Sequence, residues 1–76
     1  IMSISVTNHA ILRSKERIGW DKRKTITISR DLIKKYIKDG NTIKDSTLVP
    51  CWNNNRIFLV VIKDKAHYIV KTILVK

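Results

Sequence analysis

The sequence is poor in cysteine, proline, glycine and acidic side chains: one Cys, one Pro, two Gly and six Asp+Glu in 76 residues. A lone Cys51 cannot form an internal disulfide, which fits a reducing compartment and points to a cytoplasmic protein. One cysteine and two distant histidines do not make a zinc set, and no Asp/Glu cluster suggests magnesium, so no metal and no cofactor is expected. Six scattered acids do not suggest the carboxylate pair of glycoside chemistry either. No P-loop, GxGxxG or GxSxG is present. No apolar run approaches the ~18 residues of a transmembrane helix, so the chain is not expected to be a membrane protein. The apolar start is too short and interrupted for a signal peptide, and Ile1 reads as an addition ahead of a natural start at Met2. With no Pro/Gly/Ser-rich linker, residues 2–76 are expected to form a single domain. A domain of this size buries only ~60% of its unfolded surface, so its core should be thin.

Positive charge is what the chain does have. Sixteen Lys+Arg against six acids give a net charge of +10. A field of that sign draws in polyanions. The candidates are nucleic acid, an anionic membrane surface or an acidic partner protein, set against a lysine-rich surface that only keeps the chain in solution.

Residues 2–6, MSISV, read as a short strand or an extended arm. Thr7 is a good N-cap for a helix from about Asn8 to Ile18, with Ala10, Ile11, Ser14 and Ile18 inward and Gly19 closing it. Thr25 to Ile28 is β-branched and alternates, so a strand is possible there, and Lys22, Arg23 and Lys24 read as a basic loop. Ser29 is expected to cap a second helix from about Arg30 to Asp39, with an apolar stripe of Leu32, Ile33, Tyr36 and Ile37 and a stop at Gly40. A meander of strands should follow: Thr42–Lys44, Thr47–Trp52 with Pro50 at an edge or bulge, Arg56–Lys63, and His67–Val75. Asn53 to Asn55 and Asp64 to Ala66 are expected to turn the chain. The expected class is α+β, with two N-terminal helices packed on a three- to four-stranded antiparallel β-sheet. Ile57 to Ile62 is apolar on both faces of its strand, so a helix layer can cover one side, and a second copy, a partner or simple edge burial could account for the other.

His9, Arg13 and Arg17 recur every four residues and line one side of the first helix. Arginines nearby disfavour the cationic form of a histidine, which could then act as a base. Guanidinium forks fit phosphate bidentately. Together these groups suit RNA cleavage without a metal, in which the base takes the 2′-hydroxyl proton and the arginines hold the equatorial charge. The plain alternative is a solvated helix face with an i, i+4 charge pattern. Cys51 reads as core beside Pro50 and Trp52. Trp20 and Trp52 could stack on bases, though packing is the more economical role for each in a thin core.

The segment Asn8-His9-Ala10 with Arg13, Glu16, Arg17, Ile18 and Gly19 resembles the HAxxRxxERxG opening of small phage and bacterial proteins of the DUF4258-like group, placed among RNase-like toxins of the barnase, EndoU, colicin and RelE type. The closing IVKTIL, Ile69 to Leu74, is similar to that family's last strand. The resemblance implies a site of His9, Arg13 and Arg17 facing Thr72, whose hydroxyl would hold a phosphate oxygen or the 2′-hydroxyl. If residues 64 and 65 form a tight turn, Thr72 falls opposite about Ile57, which would put Arg56 close by as a phosphate contact. Lys15, Lys22, Arg23, Lys24 and Lys71 are further nucleic-acid contacts on this reading. His67, five residues before Thr72, should lie ~16 Å away on the opposite face, leaving Lys71 or Tyr68, if the strand is bulged, or water as the general acid. The functional expectation is a basic RNase-like protein that grips and could cleave RNA, as a toxin or phage-encoded effector, with an acidic antitoxin or target protein as partner and a homodimer as an option. The rival class is a non-enzymatic module that binds nucleic acid or protein on the same scaffold.

Overall fold

The computed structural model describes residues 3–52 and 54–76. The elements run β1 (Ser3–Val6), α1 (Asn8–Ile18), α2 (Lys22–Lys38), β2 (Thr47–Cys51), β3 (Asn54–Asp64) and β4 (His67–Val75). The class is α+β: two helices lie on one face of a four-stranded sheet of order β1-β4-β3-β2. The sheet is mixed rather than antiparallel. β1 pairs in parallel with β4, from Ser3 opposite His67 to Val6 opposite Val70, while β2-β3 and β3-β4 are antiparallel. Of the expected strand 2–6, Met2 lies outside the described residues.

Local chemistry explains both helices. Thr7 sits in extended backbone and its hydroxyl accepts from the Ala10 N–H, while Gly19 at φ 73° takes the left-handed position that closes α1. α2 begins earlier than the sequence pattern suggests. Its N-cap is Asp21, which accepts from the Lys24 N–H at 2.7 Å. Ser29 is therefore not a cap, the Lys22-Arg23-Lys24 run is helix rather than loop, and Thr25–Ile28 is not a strand. The reason is tertiary. Thr25, Ser29, Leu32 and Ile33 are buried, at the spacing of one helical face, and that burial outweighs the β preference of Thr-Ile-Thr-Ile. Thr25 Oγ1 donates to the Asp21 carbonyl at 2.7 Å and shares a hydrogen bond with Ser14 Oγ at 2.9 Å, tying the two helices together. Gly40, at φ 91°, ends the element through Gly40 N–H to Ile37 and Asn41 N–H to Tyr36 carbonyls.

Residues 42–44 form no strand. Ile43 instead plugs the core, and Thr47 Oγ1 clasps Lys44 by accepting from its N–H at 2.8 Å. Pro50 stands in β2, an edge strand, beside a break in register between Pro50 and Cys51. Asn54 and Asn55 belong to β3 rather than to a turn, and Asn53 lies outside the described residues. β3 and β4 are joined by Lys65-Ala66, with Lys65 at φ 57°. The core gathers Ala10, Leu32, Ile33, Val49, Leu59, Val61, Val70 and Ile73 between the helices and one sheet face.

Candidate functional site

The α1 residues separate into different environments. His9 is exposed and has no hydrogen-bond partner among the described residues. Arg13 Nη1 meets Glu16 Oε1 at 3.3 Å, an exposed pair that water screens and a phosphate could displace. Arg17 Nη1 donates to the Ile73 carbonyl at 2.6 Å. β1 stops pairing with β4 at Val70, so Ile73 lies where the outer edge of β4 has no strand beside it. Arg17 satisfies that edge, and Thr7 Oγ1 bonds the Val70 and Lys71 carbonyls at 3.2 and 3.0 Å. α1 is thus laid along the second half of β4.

Thr72 is adjacent in sequence to Arg17's partner but turns the other way. Ile73 is fully buried under the helices, whereas Thr72 pairs with Val60 on the sheet face that no helix covers. The structure therefore does not bring its hydroxyl toward the inward face of α1. The expected register also differs, since Ile57 is opposite Val75. Arg56 lies four residues from Val60, about 13 Å along β3, and its Nε donates to the Lys76 carbonyl at 2.6 Å. Arg56 is thus not beside Thr72.

The turn lies at Lys65-Ala66 rather than at residues 64 and 65, which shifts the register by two, and a bulge shifts it by one more and alters the placement of His67. Val60 is opposite Thr72 and Val61 is opposite Val70, so the exposed Lys71 is an extra residue in β4. That extra residue reverses the alternation, and His67, expected on the other face, shares the uncovered face with Thr72. Its ring is held on both sides, Nδ1 2.6 Å from Ser3 Oγ and Nε2 2.7 Å from Ser5 Oγ. In the neutral ring one nitrogen donates and the other accepts, so the two serines play opposite roles. The Ser-x-Ser spacing of β1 was the available signal, but it acquires meaning only once the parallel β1-β4 pairing is known. Tyr68 packs toward the core with Lys63 Nζ 5.7 Å from its ring centre, so Tyr68 and Thr72 lie on opposite faces.

The cations gather elsewhere. α1 carries Arg13, Lys15 and Arg17; α2 carries Lys22, Arg23, Lys24, Arg30, Lys34, Lys35 and Lys38, against Glu16 and Asp31 alone within the two helices. All seven α2 cations are exposed. Lys22, Arg23 and Lys24 crowd the N-terminal turn, where the helix dipole already presents positive charge, and Lys24 Nζ stands 5.9 Å over the ring of Trp20. At the other end of α2 a groove of about 330 Å³ is lined by Lys35, Tyr36, Asn41 and Trp52, among others. Trp20 packs against the core as expected, but Trp52 is 53% exposed at this groove and is not packing.

Among the described residues no group of three or more His, Cys, Asp or Glu stands together to hold a metal ion, and no helix is long and apolar enough to cross a membrane. No family model, curated protein or solved structure matches the chain.

Proposed function

We propose that this chain is a small RNA-binding module that grips phosphates with the outer surface of its helical layer. The observation that carries the reading is the ten Lys and Arg of α1 and α2 set against two acids on the same helices. Lys15, Lys22, Arg23, Lys24, Arg30 and Lys34 would track the backbone as solvated point charges. Trp52, half exposed beside Lys35 and Tyr36, offers a ring on which a base can stack. Single-stranded RNA fits this combination best, because its bases are free to turn onto an aromatic surface. The resemblance of the α1 motif to RNase-like toxins supports RNA over DNA.

A second reading, cleavage of that RNA without a metal, rests on the exposed His9 one turn before Arg13. His9 would take the 2′-hydroxyl proton and Arg13, released from Glu16, would face the phosphate. Lys71 is an exposed candidate for the general acid.

Binding of a fluorescent single-stranded RNA across a salt series tests the main reading. The association constant should fall at least tenfold between about 50 and 200 mM salt, and Lys22→Ala/Arg23→Ala/Lys24→Ala should flatten the slope by two to three phosphates' worth. Trp52→Ala should weaken binding about fivefold to a hundredfold at every salt concentration. Salt-independent binding, or none at low salt, rejects the reading. In the same samples with EDTA, RNA shortened by the natural sequence and left intact by His9→Ala would establish cleavage.

A further inference from the structure

The sheet has two unlike faces, and only one is covered. Ile57, Leu59, Val61, Val70 and Ile73 face the helices and are at most 5% exposed. Their neighbours Phe58, Val60, Ile62, Ile69 and Leu74 point away from the helices and are only partly buried, and Leu48 beside them is 39% exposed. The ladder makes these one continuous patch: Leu48 pairs with Val60, Ile62 with Ile69 and Phe58 with Leu74, with Thr72 in the middle. A contiguous apolar surface of this kind marks an interface.

We infer that this face is the contact between two copies of the chain, packed sheet on sheet about a two-fold axis. Three features favour a second copy. First, the patch is self-complementary in charge. Arg56 and Lys76 stand at one end, with Lys76 Nζ 5.1 Å from the Phe58 ring centre, and Asp64 stands at the other end opposite His67, with Lys63 turned to the covered face over Tyr68 and Lys65 in the exposed turn beyond it. A two-fold axis across the strands sets each cationic end against the partner's Asp64. Second, the ten helical cations lie on the covered side, so pairing through the open face turns both basic layers outward. Third, four strands of this length present roughly 500 Å² per copy, about 1,000 Å² in total, which suffices for a weak, reversible dimer. The dimer would display two RNA-gripping surfaces back to back, although the contact itself does not depend on RNA.

Salt gives the proposal a distinctive signature. Each copy carries +10, so long-range repulsion opposes pairing and outweighs the two attractive end contacts; salt screens both, while the apolar contact is unaffected. Pairing should tighten with salt as RNA binding loosens. The test is sedimentation of the full chain between about 1 and 300 µM at about 50 and 500 mM salt. Mass should rise from monomer to dimer with concentration, with a dissociation constant at least threefold lower in the higher salt. Val60→Lys, which sets like charges near the axis, should be monomeric throughout with an unchanged circular dichroism spectrum. Asp64→Lys, at an exposed position, should weaken pairing at least threefold and decides the question if Val60→Lys fails to fold. A chain that stays monomeric in every condition, or a dimer that neither variant weakens, overturns the proposal; the former outcome leaves the face to a different, acidic protein.

Discussion

Adjacent residues on β3, Leu59 and Val60, have the same apolar character and opposite fates. Leu59 is fully buried beneath the helices, and Val60 is only partly buried on the far face. The difference shows that composition alone does not make a core. What decides is which face the helices occupy, and they occupy the one their own buried stripes, Ala10-Ser14 and Thr25-Ser29-Leu32-Ile33, can seal. The helical layer then carries most of the positive charge outward, while the other face keeps its apolar side chains. The molecule is polarised: phosphate-seeking on one side, apolar on the other.

The largest effect should come from cutting into the covered face. Leu59→Ala should cost about 3 kcal/mol in urea unfolding, and Val60→Ala, measured at concentrations too dilute to pair, under about 1 kcal/mol. Equal losses would mean that the two faces do not differ in the way described. Thr7→Ala removes the N-cap of α1 and its two bonds to β4, and should lower stability by about 1 to 2 kcal/mol, a melting shift of roughly 5 to 12 °C. No shift would show that the junction holding α1 along the open edge of β4 is dispensable. Smallest, and of opposite sign, is Ser29→Ala. Ser29 Oγ is buried without a hydrogen-bond partner among the described residues, so its removal should raise stability by about 0.5 to 1 kcal/mol. A loss on that substitution would mean that the hydroxyl has a role beneath the helices that its geometry does not reveal.

Much of the fold was legible where the chain speaks to its near neighbours. Thr7 and Gly19 bracket α1, Gly40 stops α2, Pro50 marks an edge strand beside a bulge, and the Lys65-Ala66 turn sets the β3-β4 hairpin. The first half of α2 was not legible, because Thr-Ile-Thr-Ile has a strand's side chains and becomes helix only when Thr25 finds Ser14 across the interface. The parallel pairing of β1 with β4 was not legible either, since Ser3 and His67 are 64 residues apart and neither strand's composition names its neighbour. The candidate site shows the same division. His9, Arg13 and Arg17 fall on α1 as their spacing implies. Their relation to Thr72 depended on a register set by the Lys65-Ala66 turn and on the face that one extra residue, Lys71, reversed.

The sequence by itself determined the α+β class, the helix caps, the charge and the two-sided apolar character of β3, because each is written in contiguous residues with a fixed period. Tertiary structure alone decided which side of β3 became core, where α2 begins, and that His67 joins Thr72 on the open face. Those outcomes turn on contacts between distant segments and on a single bulge that reverses the alternation of a strand, and a local pattern carries neither.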